Sequence, residues 1–235
     1  MRPTSPENLS ARSTSPLVQL EEVCKTYREG SADRPVLRHA SFELPRGQMT
    51  SLTGVSGSGK STLISLLAGL MLPDSGRVVF DGEEITELDD VARAQLRARR
   101  VGVVLQSGNL IPFLTAQQNV ELAMEFGGGD GDRDRAKDLL SELGLGDRLD
   151  HLPARMSGGE AQRVSVAMAM ANEPDLLLAD ELTGQLDSAN GEQVLGVIFD
   201  AWLRGVTVLF VTHNDELAAR AERCLVLEDG MVRDR

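Results

Sequence analysis

The stretch GVSGSGKST, residues 54–62, indicates the fold of this chain more directly than any other segment. It matches the pattern G-x-x-x-x-G-K-[S/T], follows the apolar segment QMTSL, and precedes a helix predicted over residues 60–70. Such a loop wraps phosphates with its backbone N–H groups. A flexible Gly/Ser turn is the alternative, but the flanking strand and helix argue against it. The pattern therefore predicts a nucleotide-binding P-loop that contacts the nucleotide through Gly54, Val55, Ser56, Gly57, Ser58, Gly59, Lys60, Ser61 and Thr62. Lys60 would reach the β- and γ-phosphates, and the Ser61 hydroxyl would bind Mg²⁺.

Composition limits the class of protein. The chain has 235 residues, of which 41% are hydrophobic and 3% aromatic, enough for one large domain with an aliphatic core. Its net charge of −12 repels a nucleic-acid backbone, so no nucleic-acid partner is expected. Cys24 and Cys224 stand far apart and are expected to be reduced thiols. Residues 1–16 are expected to form a disordered tail, and no apolar run is long enough to span a membrane, so a cytoplasmic protein is expected.

Three apolar runs, VGVVLQ, DLLLAD and TVLFVTH, are typical of strands buried on both faces of a parallel sheet. Further strands are predicted in LVQLEEVCKTY, SFELPRGQMTSLTG and CLVLEDG, with a hairpin in SGRVVFDGEEIT that turns at Asp81 and Gly82. A short tail is expected after CLVLEDG. Between the first two apolar runs, TAQQNVELAMEF, DRAKDLLSELG and GEAQRVSVAMAMA read as helices. The pattern therefore predicts an α/β core, residues 17–106 and 175–235, with a mainly helical insertion at residues 107–174.

Polar residues at the strand ends suggest a hydrolytic site. Asp180 and Glu181 end one apolar run, and His213 ends the next. Ligands bind at the carboxyl edge of such sheets, where Asp180 would hold Mg²⁺, Glu181 would polarise the attacking water, and His213 would contact the γ-phosphate and orient Glu181. The alternatives are a helix cap with solvated charges and a structural histidine. His39 and His151 have no such context and are expected to be surface or loop residues.

A second phosphate-type helix end occurs in MSGGEAQRV, residues 156–164. A serine and two glycines before a helix suit a phosphate. Ser157 and Glu160 also have the spacing of a capping box, and both interpretations can hold together.

The order of these motifs resembles the ATP-binding subunits of ABC transporters from about residue 17 to the C-terminus. MSGGEAQRV is similar to the family's signature motif, VLQ ending in Gln106 to its Q-loop, GQLDS to its D-loop and VTHN to its H-loop. Tyr27 stands where the family has the aromatic residue that stacks on adenine. The resemblance implies an α/β fold: a P-loop NTPase (RecA-like) core with an antiparallel β subdomain and an inserted α-helical subdomain.

The resemblance also implies ATP hydrolysis with ATP and Mg²⁺, the metal being held by Ser61, Gln106 and Asp180. Two copies would form a head-to-tail homodimer, in which the P-loop of one copy and the signature of the other hold one ATP. The signature residues would be Ser157, Gly158, Gly159 and Glu160, and the D-loop contributes Asp187. Glu181, His213 and Lys60 would be catalytic.

The segments LQSGNLIPFLTAQQNVELAM and LADELTGQLDS resemble the macrolide-exporter and lipoprotein-release type, which includes a cell-division ATPase. This implies a separate integral membrane permease with cytoplasmic coupling helices, a peripheral location on the inner face of the cell membrane, and export or extraction of a lipophilic substrate, lipoprotein or peptide. Residues 107–120, with Phe113 and Leu114, would receive a coupling helix, although ordinary core of the insertion is the alternative. The alternative function is a regulatory ATPase that acts through a membrane partner on cell-division or cell-wall enzymes without transport.

Four residues depart from the family pattern: Leu182, Gln185, Met168 and Val55. None replaces an acid, a base or a phosphate-contacting side chain. Leu182 replaces a proline and adds backbone freedom beside Glu181, so a slower turnover is expected.

Overall fold

A computed structural model of the chain describes residues 15–30, 32–105, 110–180 and 188–235. Several sequence predictions lie outside these ranges: most of the predicted tail, residues 107–109, Gln106, Glu181, Leu182, Gln185 and Asp187.

The described strands are β1 (Val18–Glu29), β2 (Ala32–Leu44), β3 (Met49–Thr53), β4 (Ser75–Phe80), β5 (Glu83–Glu84), β6 (Val101–Val104), β7 (Leu176–Asp180), β8 (Thr207–Val211), β9 (Arg223–Glu228) and β10 (Met231–Asp234). The described helices are α1 (Lys60–Leu67), α2 (Asp90–Arg100), α3 (Ala116–Phe126), α4 (Arg133–Glu142), α5 (Gly158–Met170), α6 (Ser188–Leu203) and α7 (Asp215–Ala218), with a 3₁₀ turn at Pro153–Arg155. Among the residues described, no helix has both the length and the apolar character needed to cross a bilayer.

The larger sheet has the order β10-β9-β3-β8-β7-β6, and all neighbours except β10 and β9 are parallel. Every residue of β7 and β8 is buried. Leu177 and Leu178, which are consecutive in β7, belong to different hydrophobic clusters because successive side chains point to opposite faces. Helices therefore cover both faces, as the apolar runs predicted.

The register of this sheet brings three strand ends level. Val211 at the end of β8 is opposite Leu52 of β3 on one side and Asp180 of β7 on the other. The segments that follow β3, β7 and β8 consequently leave the sheet at the same edge.

The smaller sheet is antiparallel, with the order β2-β1-β4-β5. The predicted hairpin turn is confirmed: Asp81 and Gly82, with φ values of 55° and 82°, join β4 to β5 in the left-handed conformation that two-residue hairpins favour. Together with α3, α4 and α5, which pack as a helical unit on the sheet, this confirms the predicted fold class.

Two predicted boundaries were wrong. Helix α1 ends at Leu67 rather than residue 70, because Gly69 adopts a φ of 63° and the N–H groups of Gly69 and Leu70 bond back to Leu66 and Ser65. The chain after CLVLEDG is strand β10 rather than a tail. It turns back at Asp229 and Gly230 and pairs with β9.

Candidate functional site

The P-loop connects β3 to α1, and its backbone requires glycine at two positions. Gly54 has a φ of 148°, and a Cβ there would lie 2.5 Å from the carbonyl oxygen of Leu227. Gly59 has a φ of 107°, and a Cβ there would lie 2.5 Å from Cγ1 of Val36. The loop is therefore packed tightly against β9 and β2 on its outer side.

Lys60 is the first residue of α1 and is only 6% exposed. Its Nζ donates hydrogen bonds to the carbonyl oxygens of Gly54 at 3.0 Å and Val55 at 2.9 Å. No side chain caps the start of α1, and its first turn contains no acidic residue. The positive end of this helix is thus available to an anion beside the lysine.

A cavity of about 320 Å³ opens at this edge of the sheet. It brings together nine of the predicted site residues, which come from β1, the P-loop, α1 and the ends of β7 and β8: Tyr27, Ser56, Gly57, Gly59, Lys60, Ser61, Thr62, Asp180 and His213. The other three predicted P-loop residues do not line it. Gly54 lies against β9, Val55 is exposed, and the Ser58 hydroxyl is buried without a hydrogen-bond partner in the described part of the chain.

Tyr27 reaches the cavity from β1. Its hydroxyl lies 3.3 Å from the Thr62 hydroxyl and donates a weak bond to Sδ of Met71 at 3.6 Å. The aromatic ring is half-buried and is fixed to the start of α1 through Thr62.

Two lining residues, Arg34 and Val36, were missed by the sequence analysis. Arg34 pairs across the sheet with Tyr27, and its Nη2 would lie 3.7 Å from a Cβ at Gly57. Only the register of β1 with β2 places these side chains beside the P-loop, and that register depends on irregularities in both strands that no local sequence motif predicts.

Asp180 ends β7, is buried and faces the same cavity as the Ser61 hydroxyl. Carboxylate and hydroxyl oxygens are suitable ligands for Mg²⁺, so this part of the cavity fits the metal. His213 follows β8 and is exposed. His39 and His151 lie outside the cavity: His39 is exposed beside Glu22, and His151 is half-buried.

The signature residues begin α5 and form the predicted capping box. The Glu160 N–H donates to the Ser157 hydroxyl at 3.2 Å, and the Ser157 N–H donates to Oε2 of Glu160 at 2.8 Å. Ser157 and Gly158 are exposed, and a Cβ at Gly158 would have no heavy atom within 4 Å. None of the residues described around the P-loop cavity belongs to the signature.

Glu160 also accepts a hydrogen bond from Nε of Arg148 at 2.9 Å. The backbone N–H of Ser157, followed by the Arg148 guanidinium, lowers the pKa of the Glu160 carboxyl below its ordinary value. The signature helix therefore carries an ionised, fully engaged carboxylate in its first turn at neutral pH.

Comparison with known proteins agrees with this geometry. The family model described as "ABC transporter" matches residues 37–184. The macrolide export ATP-binding/permease protein MacB of Brucella melitensis is 44% identical over 220 residues, which are 93% of this chain but only 34% of that protein. The uncharacterized ABC transporter ATP-binding protein YbbA of Escherichia coli K12 is also 44% identical, over 93% of this chain and 97% of its own length.

Solved structures agree as well. The dimeric structure of MJ0796, a bacterial ABC transporter cassette, superposes with a TM-score of 0.88 at 37% identity, covering 93% of this chain and 97% of that chain. The same cassette is known as a dimer in a post-hydrolysis state bound to ADP and Pi, with the same TM-score and identity. The chain belongs to the ABC transporter family and is an ATP-binding, ATP-hydrolysing cassette.

Proposed function

We propose that two copies of this chain associate head to tail around ATP and drive a separate membrane permease of the export or extraction type. One observation carries the head-to-tail arrangement. The P-loop cavity is open and lined without the signature, while the signature leaves Ser157 and Gly158 exposed. Each half is a phosphate-binding end, so a second copy would complete the site.

Within that site, Lys60 and the P-loop N–H groups stabilise the transferring phosphoryl group, and Tyr27 stacks on the adenine. Ser61, Asp180 and Gln106 would hold Mg²⁺, which would neutralise charge on the phosphates when bound. Glu181 polarises the water, and His213 contacts the γ-phosphate and orients Glu181. The shared cavity of Lys60, Ser61, Asp180 and His213 supports these roles.

The permease contact is proposed at an apolar groove of about 760 Å³, the α2–α5 groove, which lies between α2, β6, α3 and α5. Its apolar lining includes Leu70, Val91, Val103, Leu105, Phe126 and Met168. Val91 is 65% exposed and Phe126 is 68% exposed. Exposed apolar side chains that lie together in this way are typical of a protein–protein contact surface. An amphipathic cytoplasmic helix of the permease would cover these side chains. Phe113, which belongs to the segment expected to receive a coupling helix, is also exposed but lies outside the groove.

The groove is joined to the nucleotide site through the chain itself. Leu105, which lines the groove, directly precedes Gln106, the candidate Q-loop residue. At the start of the insertion, Asn119 of α3 bonds the backbone of Ile111 and Leu114, fixing the segment that leads into the helical unit. Pressure on the groove would thus be transmitted to both the metal ligand and the helices that carry the signature.

The names of the MacB relatives combine an ATP-binding part with a permease and refer to macrolide export. Among the proposed cargoes, which are a lipophilic substrate, a lipoprotein or a peptide, these names support the lipophilic substrate. The decisive experiment uses tagged Glu181→Gln protein, incubated with ATP and purified from detergent-solubilised membranes. Co-purification of an integral membrane permease is the expected result. Recovery of soluble partners alone, with the dimer formed, would refute the transport assignment.

A matched pair of variants tests the groove. Val91→Asp puts a charge in the groove and is expected to abolish permease recovery while leaving the ATP-dependent dimer intact. Leu203→Asp is the control, since Leu203 is 69% exposed on α6 and does not line the groove. Equal permease recovery by both variants would place the contact elsewhere.

A further inference from the structure

The signature helix carries a negative charge at the end that is proposed to receive a phosphate. Glu160 is the third residue of α5, within one 5.4 Å turn of the N–H group of Gly158. A carboxylate there partly neutralises the positive end of the helix dipole and repels a second anion. A phosphate can therefore approach only if the charge on Glu160 is compensated locally.

Arg148 provides that compensation in this structure. Its Nε donates to Oε1 of Glu160 at 2.9 Å, while Oε2 is held by the Ser157 N–H. Both carboxylate oxygens are thereby engaged, one by a cation and one by the cap. Arg148 also bonds the carboxylate of Asp147 at 2.8 Å, but Asp147 is well exposed and its charge is screened by solvent.

The backbone fixes Arg148 from both sides. Its N–H donates to the carbonyl oxygen of Leu145, and its own carbonyl accepts from His151. Residues Leu149 and His151 in turn accept hydrogen bonds from the first N–H groups of α3. The guanidinium is thus presented to α5 by a segment tied to the neighbouring helix.

We propose that Arg148 is a positioning residue for the ATP bound across the dimer: it neutralises Glu160 and holds it in the capping box, so that the exposed Ser157–Gly158 end can accept the partner copy's phosphate. This rests on the head-to-tail dimer proposed above. Arg148 does not line the P-loop cavity of its own chain.

The test compares Arg148→Met, Glu160→Gln and the double variant in the full chain carrying Glu181→Gln, with the ATP-dependent dimer measured by sedimentation velocity. Arg148→Met is expected to weaken each site about fivefold, as for loss of a partly exposed ion pair, and hence the two-site dimer by roughly 25-fold. Glu160→Gln removes the charge but retains the cap, because a glutamine oxygen also accepts from Ser157.

The double variant decides the matter. If Arg148 acts through the charge of Glu160, the double variant recovers to within about threefold of the parent. If Arg148 only supports the local fold, removing the Glu160 charge restores nothing, and a double variant as weak as Arg148→Met would overturn the proposal.

Arg135→Met is the matched control. It removes an ion pair with Glu173, at 3.1 Å, from a similarly exposed arginine in the same helical unit, and it is expected to leave the dimer unchanged. ADP binding to the monomer and melting followed by the fluorescence of Trp202, the single tryptophan, report whether each variant is folded. A parent that forms no dimer with ATP refutes the proposed function and this inference together. If the parent dimerises with ATP and the Arg148→Met variant dimerises equally well, only the inference is refuted.

Discussion

Gly158→Ala separates the proposed phosphate-binding role of the signature from its structural role. In the single chain, a Cβ at Gly158 meets no heavy atom within 4 Å, and the residue begins a helix with no positive φ to strain. Alanine there should stabilise the fold by up to about 0.5 kcal/mol, or raise Tm by about 1–2 °C. Neither the space around Gly158 nor its backbone conformation therefore requires glycine in the monomer.

The proposed head-to-tail dimer gives a reason for glycine at this position. A phosphate that bonds the N–H groups at this helix end must approach to about 2.7–3.2 Å, and a methyl group on the exposed Cα obstructs it. ATPase activity and the ATP-dependent dimer are expected to fall by on the order of 10²-fold, as when a phosphate-stabilising donor is lost. Activity is measured as phosphate release over a range of protein concentrations, dimerisation by sedimentation velocity, and Tm by circular dichroism.

Gly196→Ala is the matched control. Gly196 lies in the interior of α6, is exposed, and also has open space around its Cβ. Alanine there should raise Tm by about 2–4 °C with unchanged ATPase activity. The reasoning is refuted if Gly158→Ala retains normal dimerisation and turnover. A Tm that falls by several degrees would instead show that Gly158 is constrained within the monomer.

Further predictions concern the P-loop and the response to acid. In Gly59→Ala, a φ of 107° and a clash with Val36 should destabilise the P-loop conformation by about 1–3 kcal/mol. Calorimetry should therefore show ADP binding weakened roughly 10- to 100-fold. Gly57→Ala, whose Cβ would meet only Arg34 at 3.7 Å, should lose less affinity for ADP than Gly59→Ala. A larger loss of affinity in Gly57→Ala would contradict the geometry. Hydrogen bonding to Arg100 lowers the pKa of Asp81, so this group stabilises the fold above its unfolded pKa of about 4 and the stabilisation is lost as pH falls through the folded value. Tm should therefore drop below about pH 4, and less steeply in Asp81→Asn; parallel Tm curves for the two proteins would exclude that contribution.

Much of the candidate nucleotide site could be predicted from the sequence because short local motifs identify its residues. The P-loop spacing identifies Gly59, Lys60 and Ser61, and an apolar run predicts that Asp180 and His213 stand at the ends of buried strands. Parallel strands leave a sheet at one edge, so these residues had to meet. The Ser157–Glu160 capping box was predictable for the same reason, since its two partners are three residues apart.

What the sequence by itself determined, then, is everything that short spacing and strand periodicity encode: the P-loop, the edge where it lies, the signature cap and the family. Only the tertiary structure decided which distant side chains join these motifs. Arg34 reaches the cavity through cross-strand pairing, Arg148 reaches Glu160 across 12 residues, and the α2–α5 groove combines four separate elements. The physical reason is that such contacts depend on strand register and helix packing, which are set by the burial of the whole core rather than by any one segment.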